Sequence, residues 1–144
     1  MRRLIHLTFA LFLGLAVLSP AVRAAEGVAV QALLITASNG KGGSDPRLAE
    51  YEANLKRSLR FDTFKLVGQG SANVAGNATI GLPGGHRLQL SGGERAGNGL
   101  KVRVEWTQGG RELMNTQLTL QPGIPAILGR GGEGEAPVVL LIAR

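Results

Sequence analysis

The sequence predicts an α+β domain: a mainly antiparallel β sandwich or partly open barrel with one N-terminal crossover helix packed on the sheet. Residues 100–106 read Leu-Lys-Val-Arg-Val-Glu-Trp, and this alternation is typical of a strand that buries one face in a core. Gly-rich turns at 83–85 and 108–110 separate other apolar segments of strand length. Apolar residues recur at helical spacing over 48–59, so one helix is expected.

The N-terminus has the three parts of a secretory signal peptide. Two arginines precede an apolar run over 4–18, and the small-residue pattern Val22-Arg23-Ala24 follows it. The apolar run is shorter than the roughly 20 residues that a membrane span needs. We therefore predict that residues 1–24 are a signal peptide cleaved after Ala24. Cleavage leaves 25–144 as a single secreted β-rich domain with no stable membrane insertion.

Charge and cysteine content narrow the choice of partners. The formal net charge of the whole chain is +6 at pH 7, and loss of Arg2, Arg3 and Arg23 with the signal peptide lowers it to +3. The remaining basic residues are scattered among acids, which does not indicate a nucleic-acid surface. The chain has no Cys, so we expect the core alone to stabilise the domain in the oxidising periplasm or outside the cell.

The first half of the domain is predicted to form a strand, a helix and a second strand. Residues 28–37 are nearly all apolar on both alternating faces, which is typical of a strand in the centre of a sheet. A Gly-rich loop follows, and then Asp45 as helix N-cap with Pro46 in the first helical position. The stripe that predicts a helix of about four turns consists of Leu48, Tyr51, Leu55 and Leu59. The strand at 61–67 would then lie parallel to the first through a right-handed crossover.

The next segments predict antiparallel hairpins. Residues 68–76 are Gly-rich, so a loop or an irregular edge strand is expected there. A three-residue turn at 83–85 places Ile80 opposite Leu88. A three-residue loop at 108–110 is favoured over a two-residue loop because it keeps the apolar pattern in register. It gives the pairs Val104–Met114, Val102–Thr116 and Leu100–Leu118.

The C-terminal part predicts an edge strand and a buried strand. Residues 124–128 form a short strand that Pro125 confines to a sheet edge or a strand start. A polar Gly-rich loop covers 129–135, and the apolar run 138–143 is expected in the middle of a sheet. The closing pattern from Leu118 onward resembles strand pairs of many envelope β-proteins, including the tail of secretin pore subunits. This resemblance implies no residue roles.

We predict no catalytic, cofactor-binding or metal residues. The loop at 39–44 leads to a helix start, where phosphate loops lie, but Asp45 brings a carboxylate there and the spacing does not fit G-x-x-x-x-G-K-[ST]. His86 is the one His left after cleavage, and we expect a structural role for it at a strand end. The alternative is a small hydrolase or ligand-binding protein whose site joins His86 to Asp62 or Glu105.

These observations favour an exported, soluble, non-enzymatic binding or accessory domain of the cell envelope that acts through protein–protein interaction. Its partner would be an unknown envelope or extracellular protein, with no nucleic acid and no cofactor. The expected surface is an exposed edge strand or the loops at one end of a sheet. The candidate loop residues are Asn39, Lys41, Ser44, Arg130, Glu133 and Glu135. A structural or assembly subunit is a further alternative.

Overall fold

The computed structural model describes residues 27–129 and 134–144, which form two four-stranded sheets in a sandwich-like arrangement. The strands are β1 (Val28–Ser38), β2 (Thr63–Val74), β3 (Ala78–Gly81), β4 (His86–Ala96), β5 (Gly99–Gln108), β6 (Arg111–Leu120), β7 (Ala126–Gly129) and β8 (Ala136–Ala143). The helix α1 (Glu52–Ser58) lies between β1 and β2. Sheet A has the order β2-β1-β8-β7 and sheet B the order β3-β4-β5-β6, and every strand pair is antiparallel. The prediction of a mainly antiparallel β fold is therefore confirmed, and of the two predicted architectures, sandwich and partly open barrel, the structure resembles the sandwich.

Sheet B explains the alternating pattern of 100–106. Its inner face packs on sheet A, and its outer face meets water. On β5 the inward row is at most 3% exposed, and it consists of Leu100, Val102, Val104 and Trp106. Lys101 and Arg103 lie on the exposed face between them. The strand predicted from this alternation is confirmed.

Sheet A explains the strands that are apolar on both faces. Strands β1 and β8 lie side by side in its centre, as predicted. One face contributes Val30 and Leu141 to the core between the sheets. The other face contributes Ile35 and Leu140 to a second core under the helical connection. Because both faces are covered, most residues of the two strands are apolar, and the polar Gln31 of β1 is one of its incompletely buried residues.

The predicted parallel crossover is wrong. Strands β1 and β2 are antiparallel, with Ala32 opposite Gly70 and Ser38 opposite Thr63. A parallel partner would require the connection to return along eleven residues of β1, which is about 36 Å at roughly 3.3 Å per residue. The seven-residue α1 covers only about 10 Å. The connection therefore starts and ends at the same end of the sheet.

The helical connection is shorter than predicted but buries the expected stripe. Its first turn is a 3-10 helix over Pro46–Leu48, and i to i+3 hydrogen bonds continue to Tyr51 before α1 begins. Such tightening is common at helix starts. The helix of about four turns is thus reduced to about two turns of α-helix. Leu48 and Leu55 are fully buried in the second core, and Asp45 is the N-cap as predicted.

The Gly-rich segment 68–76 belongs mostly to an edge strand. Strand β2 continues to Val74 at the edge of sheet A, so the second of the two interpretations is correct. Its irregularity is a bulge at Val67, because Leu34 faces Gly68 while Ile35 faces Leu66.

One hairpin register is confirmed and one is corrected. The turn at 83–85 sets Ile80 opposite Leu88, as expected. Beyond β5, however, Val104 faces Thr116 rather than Met114. Gly109 and Gly110 form a two-residue turn with φ of 57° and 83°, which only glycine adopts without strain. A bulge at Leu113 then adds one residue, and together these features shift the register by two. Likewise Val102 faces Leu118 and Leu100 faces Leu120.

The last two strands match their predicted places. Strand β7 begins just after Pro125 and is the edge of sheet A opposite β2. Strand β8 lies between β1 and β7. Of the loop that joins β7 to β8, residues 130–133 lie outside the described part of the chain. Among the helices in the described ranges, none is both long and apolar enough to cross a membrane.

Candidate binding surface

The two sheets fit tightly along the side where β2 lies beside β3, which we call the closed side. At Gly70 of β2, an added Cβ would lie 2.7 Å from Ile80 Cγ2, closer than the 3.0 Å that real Cβ atoms essentially never pass. At Gly68 an added Cβ would overlap the ring of Pro83. These glycines permit the close approach of the two edge strands, so no room is left there for another chain.

The opposite side, formed by β6 and β7, is open, and we call it the open side. Strand β6 has ten residues and β7 has four, so β7 can cover only part of its neighbour across the sandwich. The inward side chains of β6 reflect this difference. Met114, Thr116 and Leu118 are only half-buried, whereas Val102 and Val104 of the adjacent strand are at most 1% exposed.

Of the four edge strands in the described part of the chain, three carry features that discourage pairing with another chain. Native proteins protect sheet edges by keeping them short or by adding charges, prolines and bulges. Strands β3 and β7 have only four residues each. Strand β2 is long. Beyond Lys65 and the bulge at Val67, its uncharged stretch 68–74 contains Gly68 and Gly70, which weaken a strand and which lie close to Pro83 and Ile80.

Strand β6 carries such features only at its beginning. Arg111, Glu112 and the bulge at Leu113 occupy its first three positions. The rest of the strand, residues 114–120, reads Met-Asn-Thr-Gln-Leu-Thr-Leu and contains no charge, no Pro and no Gly. We call residues 114–120 the uncharged edge. Its backbone is a template on which a further strand can form hydrogen bonds.

A cleft of about 220 Å³ lies at the beginning of β6 and extends the open side between the sheets. Its lining is mostly apolar and comes from β5, β6 and β8: Trp106, Arg111, Glu112, Leu113, Met114, Ala136 and Pro137. The cleft therefore adds apolar surface next to the uncharged edge.

A buried hydrogen bond fixes the indole that lines this cleft. Trp106 Nε1 donates to His86 Nδ1 at 3.1 Å, and the two ring centroids are 5.7 Å apart. Burial lowers the pKa of His86 below its ordinary value, so the imidazole is neutral at pH 7 and its Nδ1 can accept the bond. The strand-end position and structural contact of His86 agree with the simpler expectation from the sequence.

The alternative site around His86 is not assembled in the described residues. Asp62 Oδ1 accepts a hydrogen bond from Thr63 at the start of β2, in the other sheet. Glu105 belongs to the outer face of β5, opposite Gln89. Across 27–129 and 134–144, no carboxylate bonds to His86, and no three His, Asp or Glu side chains cluster as a metal site would require.

Four of the six candidate loop residues are described, and they lie at one end of sheet A. The loop after β1 and the start of β8 meet there because Ala37 pairs with Ala136. Asn39 Oδ1 accepts from the backbone N–H of Asp62 at 3.2 Å, and Ser44 Oγ accepts from that of Phe64 at 3.1 Å. These two side chains therefore fasten the loop to β2.

The other candidate loop residues divide into two groups. Lys41 and Glu135 are exposed at the same end of sheet A. Arg130 and Glu133 fall outside the described residues, so their predicted part in a binding loop stays a prediction.

Asp45 keeps a negative charge at the start of the helical connection. Its carboxylate accepts from the backbone N–H of Arg47 at 3.0 Å and pairs with the guanidinium Nη2 at 2.7 Å. The hydrogen bonds from Arg47 lower the pKa of Asp45 to about 2. The carboxylate thus stands where a phosphate group would have to approach, in agreement with the interpretation of the loop as a plain connection.

The sequence pointed to an edge strand in general terms but did not identify β6. The available signal was the uncharged run of 114–120. This run was assigned only as the partner of β5, because the sequence does not show which strand covers its other edge. Within the described residues, β6 is the last strand of sheet B, so no strand pairs with its other edge.

Comparison with protein-family models, with curated proteins and with solved structures finds no match to this chain. The described residues define a sandwich-like antiparallel β domain with one helical connection.

Proposed function

We propose that this chain is exported, that residues 1–24 are removed after Ala24, and that the domain acts without catalysis by binding protein in the cell envelope or outside the cell. The binding surface is the uncharged edge together with the adjoining cleft. Partners of this kind include envelope proteins that offer an extended segment, and further copies of this chain.

One observation carries the proposal: a ten-residue edge strand has seven consecutive residues without a charge, on the side where the sandwich is open. An exposed edge of this kind favours aggregation unless a partner covers it. Its presence here therefore supports a role in binding another strand. Strand addition supplies affinity through backbone hydrogen bonds, and neighbouring pockets supply specificity. The cleft lined by Trp106, Leu113 and Met114 is such a pocket.

Export is tested by the mass of the protein recovered from the envelope and the culture medium of the source cells. We expect the intact mass of residues 25–144, with Ala25 as the first residue. Recovery of the full chain from the cytoplasm would contradict the export part of the proposal and leave the binding surface to be judged by itself.

Binding is tested by placing a photo-crosslinking amino acid at Gln117 of the uncharged edge. The matched control is Gln89, an exposed glutamine on the same outer face of sheet B but in β4, which is paired on both sides. We expect a discrete adduct from position 117 and none from position 89, and mass spectrometry identifies the attached protein. Equal adducts from both positions, or none from 117, would contradict the proposal.

A purified partner then gives the affinity. Replacing both exposed amides of the edge by lysine, Asn115→Lys with Gln117→Lys, should weaken the measured Kd at least about tenfold because lysine protects edges against strand addition. A lysine at Gln89 is the control and should leave Kd unchanged. An affinity that is insensitive to the edge lysines would place the binding surface elsewhere.

A further inference from the structure

We infer that the strand that pairs with the uncharged edge is the same edge of a second copy of this chain. The inference rests on the proposed function, because it names the partner of the surface proposed there. The two copies of β6 run antiparallel about a two-fold axis through Thr116. This arrangement joins two B sheets, of four strands each, into one continuous sheet.

The register through Thr116 places like residues opposite one another. Residues directly opposite in antiparallel strands share a face and interact. On the inward side, Met114 of one copy meets Leu118 of the other. Thr116 of one copy meets Thr116 of the other on the same inward side. On the outward side, Asn115 of one copy meets Gln117 of the other. Apolar groups therefore face apolar groups and amides face amides, so the strand is complementary to itself.

Neighbouring registers lose this match. An axis through Gln117 sets Thr116 opposite Leu118, which pairs a hydroxyl with an apolar side chain. An axis between Asn115 and Thr116 sets Met114 opposite Gln117, and it turns the inward row of the second copy to the outer side. The sequence of the strand selects the axis at Thr116.

Burial and charge both favour the pairing of two β6 strands in this register. The inward side chains of Met114 and Leu118 are only half-buried in the single chain, and pairing removes more of their apolar surface from water. The charges of Arg111 and Glu112 lie beyond the bulge at Leu113, so the segment from 114 to 118 pairs without a charge in it. The paired segment is short, and the dimer is therefore in equilibrium with the single chain.

The test is sedimentation of the secreted protein across roughly 1 μM to 1 mM, the range in which small interfaces associate. We expect a monomer–dimer equilibrium for the natural chain. The double variant Asn115→Lys with Gln117→Lys places lysine opposite lysine at both outward contacts and should weaken the dimer at least about tenfold. The double variant Asn115→Lys with Gln117→Glu places lysine opposite glutamate at the same two contacts and should restore it.

The double variant Asn115→Lys with Gln117→Glu, which we call the charge-paired variant, should also fold normally as a single chain. On β5, Asn115 lies opposite Glu105 and Gln117 lies opposite Arg103, so each introduced charge has a residue of the other sign directly opposite. Both double variants lose the hydrogen bond that Arg103 Nη1 donates to Asn115 Oδ1 at 3.2 Å, so this loss does not distinguish them. Thermal unfolding measured by circular dichroism checks that all variants remain folded. A lysine at Thr79, an exposed position on the closed-side edge strand β3, is the control and should leave the dimer unchanged.

A second measurement adds no charge. The natural chain has no Cys, so a single introduced thiol reports directly on the axis. Thr116→Cys should give disulfide-linked dimers with oxidised glutathione, because opposite Cα atoms in antiparallel strands lie about 4.5–5.5 Å apart, within disulfide range. Thr119→Cys, on the same strand but away from the axis, should not.

Four results would overturn the inference: a monomer at every concentration, a dimer insensitive to the lysine pair, a charge-paired variant that dissociates as far as the lysine pair, or no preference for Thr116→Cys over Thr119→Cys. The proposed function fails separately. If the protein stays monomeric while crosslinking from Gln117 captures a different envelope protein, the uncharged edge still binds and only the identity of its partner changes.

Discussion

The closed and open sides of this domain differ in how far their edge strands are covered. Both are places where two sheets end and leave edge strands. On the closed side, Gly68 and Gly70 let β2 approach β3 so closely that Pro83 and Ile80 fill the space between them. On the open side, the ten-residue β6 extends past the four-residue β7, and its inward side chains remain half-buried. The difference shows that a sandwich can have a fully buried core while the inward side chains of one edge strand remain half-buried.

The largest difference between the two sides should appear when one leucine is removed from each. Leu88 pairs with Ile80 near the closed side and is fully buried, whereas Leu118 on β6 is half-buried. Leu88→Ala should lower the free energy of unfolding by about 2–5 kcal/mol, and Leu118→Ala by about 1 kcal/mol. Urea denaturation of dilute protein measures both. Equal losses would mean that the open side is packed as well as the closed side.

A smaller effect on the free energy of unfolding is expected from adding a methyl group where β2 and β3 lie in close contact on the closed side. Gly70→Ala introduces a methyl group 2.7 Å from Ile80 Cγ2 and should cost about 1–3 kcal/mol of unfolding free energy. Gly81→Ala is the matched control, because its added Cβ has no atom within 4 Å. Its stability should be unchanged or slightly raised. If both variants unfold at the same urea concentration, the strands on the closed side are not held at this distance.

The hydrogen bond between His86 and Trp106 should make the domain sensitive to acid. Burial lowers the pKa of His86 in the folded state, so the unfolded chain binds the proton more tightly. The stability from this group is present above the ordinary pKa of 6.5 and is lost as pH falls through the lower folded value. The loss is at most about 1.4 kcal/mol per pH unit for one group.

Urea denaturation at pH steps between about 7.5 and 5 measures this dependence in the range where the imidazole titrates. His86→Gln keeps an acceptor for the indole without a titrating group, so its stability should change less over the same range. If its profile is as steep as that of the natural chain, other groups cause the pH dependence. A change in Trp106 fluorescence at the same pH would locate the effect beside the open side.

The smallest effect is expected from changing the exposed surface of the open side. Gln117→Lys alters an exposed side chain on β6 and should change the free energy of unfolding of dilute protein by less than about 0.5 kcal/mol. Melting of the single chain by circular dichroism is the measurement. A large loss would show that position 117 supports the fold, and the crosslinking and sedimentation experiments would then need Asn115 alone.

Much of the sheet architecture could be predicted from side-chain patterns. The alternation over 100–106 located β5, and the mostly apolar runs at 28–37 and 138–143 located the central strands of sheet A, because a strand covered on both faces is apolar at most positions. The first hairpin register followed from matching Ile80 with Leu88.

The errors have physical causes that the pattern does not contain. The order strand, helix, strand indicated a crossover, but a connection can leave and return at the same end of a sheet, and the short α1 allows only that route. The second hairpin was displaced because a two-residue turn and a bulge at Leu113 together preserve the inward side of each residue. The prediction therefore assigned Met114, Thr116 and Leu118 of β6 to the correct face of the sheet but to the wrong partners on β5. The open side depends on the relative lengths of β6 and β7, which no single segment reveals.

The adjacency of β1 and β8 has a consequence for how the polypeptide reaches its final form. These strands come from opposite ends of the described chain, and Leu33 cannot meet Leu140 until the last segment has been synthesised. Sheet B, in contrast, is a run of consecutive hairpins that can assemble from local contacts. If the chain is exported as proposed above and crosses the membrane unfolded, the centre of sheet A can form only after both of these strands have reached the far side of the membrane.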